Sequence, residues 1–294
     1  GLYVLGKLSY ELEESESTDA MIQVIDIFKE NKKWNLVENL AYKILTYEEN
    51  IYALKQIIFI LNNFKKDQDN VEILKRLAKV DTENGDVAKK LADHYMENGQ
   101  QDEAVKFYKS AIRRYAKNKQ NTLTETIWKK IVPDIYDQIN FFLNISSIIA
   151  TDQLELAINL LSNLLEILEI ENKLDVDIFV TKNILKLDSN NLKIRNKLIE
   201  LYKIKYSASS QLEKCIENSQ ILETKYKIEN SIKKFEKEIL FNEGCYVYHK
   251  TWKIGVLKEI TDENFVIDFK EKTDHKMSYS MSLKSLIPLS TDHI

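Results

Sequence analysis

From Thr18 to about Leu240, apolar residues recur at the three- and four-residue steps of an amphipathic helix. Residues 1–20, acidic around Glu11-Leu12-Glu13-Glu14-Ser15-Glu16-Ser17, read as a lead-in strand or a tail. After Gly244 the period changes. Cys245-Tyr246-Val247-Tyr248-His249, Ile254-Gly255-Val256-Leu257 and Phe265-Val266-Ile267-Asp268-Phe269 are short runs rich in β-branched and aromatic residues, broken by turn formers. The pattern predicts a helical domain over residues 1–240 and a small antiparallel β module over residues 241–294.

The clearest repeat unit lies between Asp86 and Tyr115. Leu91, Ala92, Tyr95, Gly99, Ala104, Tyr108 and Ala111 sit at the spacings of a tetratricopeptide helix-turn-helix. Ala92, Ala104 and Ala111 are small, which lets two antiparallel helices approach closely. Tyr95 and Tyr108 fill the space between neighbouring pairs. Gly99 and Gln100-Gln101-Asp102 form the turn, with Asp102 as N-cap. A shift of 34 residues back places Leu54, Ile57 and Leu61 where Ala88, Leu91 and Tyr95 stand. A shift of 107 forward matches Lys186-Leu187-Asp188-Ser189-Asn190-Asn191 to Lys79-Val80-Asp81-Thr82-Glu83-Asn84, and Leu198 and Tyr202 to Leu91 and Tyr95. Between them, Thr122 to Glu171 reads as helix pairs without the small residues. Pro133-Asp134 marks a boundary there, and Ala157-Ile158-Leu160-Leu161-Leu164-Leu165 a strongly apolar helix. The expected fold is mainly α: a degenerate tetratricopeptide-like helical-repeat solenoid in which each pair buries its apolar face against its neighbours.

A last helix is expected from about Ser209 to Leu240, striped by Leu212, Ile216, Ile221, Leu222, Tyr226, Ile228 and Ile232. Strands are placed near Cys245–His249, Ile254–Ile260, Phe265–Phe269, His275–Ser278 and Ile287–Leu289. Thr261-Asp262-Glu263-Asn264 and Lys270-Glu271-Lys272-Thr273-Asp274 are the turns. Such short antiparallel strands suggest a small Tudor-like β-barrel. A module this small is marginal alone, so docking on the last helix is expected.

Composition agrees. Only 2 Pro and 6 Gly occur in 294 residues, which favours long helices. Hydrophobic residues make up 44% and charged residues 30%, which excludes a disordered chain. A net charge of -4 excludes a strongly basic nucleic-acid binder but leaves room for a local basic face. Cys215 and Cys245 show no paired spacing, which points to a reducing cytoplasm. No apolar run approaches the roughly 18 to 20 residues of a membrane span, and no secretory signal pattern is present.

Candidate chemistry is sparse. There is no Gly-rich phosphate loop, no Gly-x-Ser-x-Gly elbow and no His-Glu-x-x-His. His94, His249, His275 and His293 are scattered. Cys245 and His249 share a strand but lack the second pair that a metal site needs. Neither an enzyme nor a cofactor nor a small-molecule substrate is therefore expected. Lys106, Lys109, Arg113 and Lys117 fall on one helix face with Arg114 beside them. That stripe reads either as a contact for nucleic-acid phosphate or an acidic partner, or as a solvated face. Trp252, in a turn after Tyr248-His249-Lys250 and before Lys253, either anchors a protein partner or closes the end of the barrel. Met277 and Met281 flank Tyr279 and either form a soft apolar surface or fill the core.

The module also carries a resemblance. His249-Lys250-Thr251-Trp252-Lys253-Ile254-Gly255-Val256-Leu257, Val266-Ile267-Asp268-Phe269, His275-Lys276-Met277-Ser278 and Leu283-Lys284-Ser285-Leu286-Ile287-Pro288-Leu289 resemble a segment of the long, N-terminally extended Gre-type transcription elongation factors of spirochaetes and chlamydiae. The helices and Trp128-Lys129-Lys130 are similar in kind to that extension. Ile254 departs from the family pattern, which has Gly there. More distantly, the module resembles the Tudor-like polymerase-interacting domain of CarD-type regulators. The resemblance implies a role in transcript elongation with RNA polymerase as partner. In Gre factors an acidic coiled-coil tip promotes RNA cleavage; no segment here matches it, so the chain is expected to supply contacts rather than catalysis. The alternative is a tetratricopeptide-type peptide-binding scaffold unrelated to transcription.

Overall fold

The computed structural model describes residues 14–64 and 70–289. The chain divides into two compact units, Gly1–Gln153 and Leu154–Ile294. Its described residues are mainly helical, with one small antiparallel sheet near the C-terminus. Of residues 1–20, where a lead-in strand or tail is expected, 1–13 lie outside the described residues, as does His293, and 14–20 are helical instead.

In the first unit the helices are α1 (Glu14–Glu30), α2 (Trp34–Leu45), α3 (Ile51–Phe64), α4 (Val71–Val80), α5 (Gly85–Glu97), α6 (Gln101–Lys117), α7 (Asn121–Ile135) and α8 (Ile139–Ala150). From α1 to α7 each helix packs on the next, and α8 folds back onto α6. The α5–α6 hairpin is the predicted repeat. Ala92, Ala104, Tyr108 and Ala111 are fully buried, and the Tyr95 ring stacks on Phe107 at 5.5 Å. Small residues set the helix separation here, and one position fixes it: a Cβ on Gly85 would lie 2.5 Å from the Tyr115 ring. The Tyr115 hydroxyl then donates to Asp86 Oδ1 at 2.6 Å, so the buried ring leaves no polar atom unmatched.

Four inter-helix turns share one geometry. Lys32, Gly99, Lys119 and Asn172 take left-handed backbone, with φ of 55, 71, 57 and 55°. In each, the next residue's N–H reaches the carbonyl five residues back: Lys33 to Phe28, Gln100 to Tyr95, Gln120 to Tyr115 and Lys173 to Leu168, at 2.9 to 3.2 Å. These are Schellman closures, which satisfy carbonyls that a helix end otherwise leaves bare. The following helix then begins at once. Two expectations change in this region. Gln100, not Asp102, occupies the N-cap of α6, and Asp102 sits in its first turn, facing the positive end of the helix. Pro133 does not break the chain; it lies inside α7, within its last turn.

In the second unit α9 (Leu154–Ile170), α10 (Leu174–Leu187) and α11 (Leu192–Lys205) pack in succession, followed by the pair α12 (Leu212–Ser219) and α13 (Ile228–Glu238). The repeat frame at a shift of 107 holds in detail. Asn84 and Asn191 both cap helices with their side chains, accepting from Asp86 N at 2.9 Å and Ile194 N at 3.2 Å. Leu198 and Tyr202 are buried as Leu91 and Tyr95 are. The single long helix expected over Ser209–Leu240 is instead two helices. Gln220 turns left-handed at φ 57°, and residues 220–227 form a loop. The cause lies on α11: fully buried Arg195 donates to the carbonyls of Ser189, Ile221, Glu223 and Tyr226, so loop groups are satisfied without helix.

The sheet runs β4-β3-β2-β1-β5, all antiparallel, from β1 (Tyr246–His249), β2 (Lys253–Ile260), β3 (Asn264–Phe269), β4 (Lys272–Ser278) and β5 (Leu286–Pro288). The β3–β4 turn is tighter than expected, only Lys270-Glu271, and a short unpredicted helix, α14 (Tyr279–Ser285), leads from β4 to β5. The sheet curls around one core. Met277 on β4 and Leu286 on β5, the two end strands, share it with Val247, Leu257, Phe265, Ile267, Phe269 and the incoming Phe241. Lys214 of α12 ties the sheet to the helices by pairing with Asp262 at 2.8 Å.

Two outcomes are expected. Lys119→Gly removes a side chain from left-handed backbone and should raise stability by about 1 kcal/mol, while Gly99→Ala should lower it by a similar amount; thermal unfolding reads both. Asp177 on α10 is 3% exposed, its Oδ1 has no partner among the described residues, and burial, reinforced by Glu169 and opposed by Lys197, pushes its carboxyl up to about 6. A raised carboxyl contributes stability that is complete below about pH 4 and lost as pH rises through about 6. Asp177→Asn should therefore flatten the urea-stability profile across that window and stabilise the chain at pH 7 by on the order of 1–3 kcal/mol.

Candidate functional site

The β1–β2 hairpin gathers three of the predicted residues. Tyr248 is half-buried on β1, opposite Ile254 on one side and Ile287 on the other. Directly opposed residues share a face, so these three form a row across β5, β1 and β2. Ile254 and Ile287 are 53% and 57% exposed. Tyr246 and Val256 form a second row on the same face. On the β3–β4 half the surface is charged instead, with Lys258 held between Asp268 at 3.4 Å and Asp274 at 2.9 Å.

Trp252 ends the hairpin. Its ring stacks on His249 at 4.3 Å, meets His275 edge-on at 4.1 Å and lies 5.5 Å from Phe269. Lys272 Nζ sits 5.1 Å from its centroid. The His249 ring accepts from the backbone N–H of Thr251 and Trp252 through Nδ1, which shapes the turn. His275 is held below its ordinary value by burial, then by Lys272 and His249. Trp252 thus closes the end of the core while remaining half-buried. Lys253 is exposed, with φ 61° and its ammonium on the Lys250 carbonyl at 3.2 Å. Met277 does not join this surface. At 3% exposure it fills the sheet's core opposite Phe265; Met281, at 59%, is the exposed methionine.

The basic stripe lies on α6. Lys109 bonds Gln138 Oε1 and stands 5.1 Å over Phe141, and the Arg113 guanidinium lies 5.0 Å over the same ring. Lys106 pairs with Glu103 at 3.4 Å, and Lys117 is exposed. Lys106, Lys109 and Arg113 line a cleft of about 380 Å³, in which Asp102 and Asp134 offset part of their charge. Arg114 turns inward and donates to the carbonyls of Ala78, Asp81 and Asn84, each at 2.9 Å. The two predicted groups of residues therefore sit on different units. Among the described residues no group of His, Cys, Asp and Glu could hold a metal ion. Burial pushes the Cys215 thiol up to about 12 and raises Cys245 as well, so neither is a ready nucleophile.

Ile254 and Ile287 are the surface residues that the sequence reading passed over. The signal for the first was its departure from the family's Gly, which puts a bare β-branched side chain beside Tyr248.

No protein-family model matches the chain. Along its whole length it is similar to a transcription elongation factor GreA from Borreliella burgdorferi, 28% identical over 295 residues. It is also similar to a protein named for GreA-associated domains from Treponema pallidum, 29% identical over 294 residues. Both matches take in all of this chain but 32% and 44% of the relatives, so the chain spans less than half the length of either. These likenesses bear out the resemblance carried by the residues from His249 onward and extend it across the helices. Among solved structures, MamA and a tetratricopeptide repeat protein from Parabacteroides merdae align with 76% and 78% of the chain and 95% of their own. Their identities are 10% and 14%, and both TM-scores are 0.28. At that level the helices themselves, rather than these neighbours, carry the case for the fold. None of the described helices is long and apolar enough to cross a membrane.

Trp252→Ala should lower stability by about 2–3 kcal/mol, since it opens the end of a packed core. Ile254→Ser, on the exposed row, should cost within about 0.5 kcal/mol. Thermal unfolding of the full chain separates the closing residue from the surface one.

Proposed function

We propose that the chain is a non-enzymatic, GreA-linked contact element of transcript elongation, binding RNA polymerase or a protein attached to it. The match along the entire chain to GreA and GreA-associated relatives carries this reading. Residues 1–240 act as scaffold and residues 241–294 as a contact module of Tudor-like type. The Tyr248–Ile254–Ile287 row, with Trp252 and Lys253 near it in the hairpin, offers aromatic and apolar groups beside a cation that has no acidic partner among the described residues, the composition of protein-binding hot spots. The stripe of Lys106, Lys109, Arg113 and Lys117 adds a weak nucleic-acid contact. Such a role belongs in the cytoplasm.

A second reading, a peptide-binding scaffold unrelated to transcription, draws on the α5–α6 hairpin, whose alanine and tyrosine packing is of tetratricopeptide kind.

Purified polymerase from the same organism, passed over the immobilised full chain, distinguishes them. Binding is expected, and Tyr248→Ala with Lys253→Glu should weaken it by roughly tenfold. No binding of polymerase, core or holoenzyme, sinks the first reading. In a parallel arm, Lys106→Glu, Lys109→Glu and Arg113→Glu together should weaken retention of duplex DNA at low salt. Unchanged retention reduces the stripe to a solvated face.

A further inference from the structure

A cleft of about 410 Å³ lies where α12, α13 and α14 meet, lined chiefly by Lys234, Lys237, Glu238, Tyr279, Leu283 and Lys284. Its charges are layered. At the rim, Lys237 and Lys284 are exposed and have no ion-pair partner among the described residues, and Lys234 donates to the Asn218 carbonyl. At the base, Glu238 is 1% exposed. Its Oε1 accepts from Asn218 Nδ2 at 2.6 Å and from the Tyr279 hydroxyl, while its Oε2 is sealed from solvent and has no partner among the described residues. Tyr279 and Leu283 add an apolar wall.

The two layers limit the charge that a ligand can carry. The rim favours an anion. The buried Glu238 carboxylate beneath it disfavours a dense one, while its Oε2 is itself sealed from any ligand. A phosphate group brings dense negative charge, and Glu238 opposes it. A polypeptide brings a single carboxylate with apolar side chains beside it, which suits the Tyr279 and Leu283 wall. The volume suits one or two residues rather than a folded surface.

We propose that this cleft binds a carboxylate presented by a partner polypeptide, either its terminal carboxylate or an Asp or Glu side chain. The carboxylate lodges among Lys234, Lys237 and Lys284, and an apolar neighbour rests on Leu283. The site shares no residue with the Tyr248 row or the α6 stripe, and it stands whether or not RNA polymerase is the partner. It also touches both the α12–α13 pair and the helix that closes the sheet, so an occupant would brace one against the other.

The test uses the full chain and a pool of short synthetic peptides covering every C-terminal dipeptide. Each is made with a free or amidated end, and with Asp and Glu or their Asn and Gln counterparts. Peptides bearing a carboxylate should be retained, and their amide counterparts should bind roughly tenfold more weakly. The free-end and side-chain arms say which source the cleft prefers. Lys237→Glu and Lys284→Glu, both on exposed side chains, should abolish retention, while Lys193→Glu on α11 should leave it unchanged. Three results would overturn the proposal: no peptide retained, retention indifferent to amidation and to the lysine variants, or a single-stranded oligonucleotide held in preference and lost in the same variants.

Discussion

A guanidinium closed off from water needs an acceptor for its donors, and Arg195 finds four backbone carbonyls, those of Ser189, Ile221, Glu223 and Tyr226. Much of the second unit depends on this. The carbonyls fix residues 220–227, which set where α13 begins. From α13, Phe235 stacks on Tyr202 at 4.2 Å, and Glu236 takes both the Tyr202 hydroxyl at 3.0 Å and the Lys182 ammonium at 2.6 Å. Two residues on, Glu238 receives the Tyr279 hydroxyl, and Tyr279 opens the helix between β4 and β5. One buried cation thus stands at the head of a path that reaches the sheet. Where Arg195 sits, the equivalent position of the α5–α6 hairpin has Ala88, also fully buried. The repeat frame is the same, and the added guanidinium turns an ordinary repeat into a mount.

What could be read in advance follows from how local each constraint is. The α5–α6 hairpin was legible because Ala92, Ala104 and Ala111 encode close approach in their own size. The sheet was legible because alternation and turn formers are local too. The break at Gln220 was not. Ile221, Leu222 and Tyr226 keep helical spacing, yet the group that satisfies their loop comes from another helix. Met277 and Met281 show the same limit on a smaller scale. One faces the core and the other solvent, and only the register opposite Phe265 and the start of α14 separate them. At the candidate surface, Tyr248 and Lys253 were visible as chemistry. Ile254 and Ile287 became visible only once the strand order placed them on either side of Tyr248.

The surfaces differ in what has been neutralised. On the sheet, Lys258 of β2 is matched by Asp268 of β3 and Asp274 of β4. On α6, Asp102 and Asp134 answer part of the basic stripe. Around the β1–β2 turn, Lys250 and Lys253 have no acidic partner among the described residues, next to exposed Ile254 and Ile287 and half-buried Tyr248. Desolvating apolar groups supplies affinity, and an unmatched cation at the rim selects which partner gains it. This combination makes the hairpin end of the sheet better suited to a specific protein contact than the helix stripe, whose charges are partly occupied by their own neighbours.

The recurring left-handed joints also bear on how such a chain can change length. Lys32 and Gly99 close α1 and α5 in the same way, and four helices lie between them. An even number returns the chain to its original direction. Material exchanged between two like joints would therefore enter and leave in phase, with each flanking helix still meeting a closed end. Insertions and losses of hairpins can then be absorbed at the joints without rewriting the packed faces. That is a route by which one scaffold could grow or shorten while the module it carries stays unaltered.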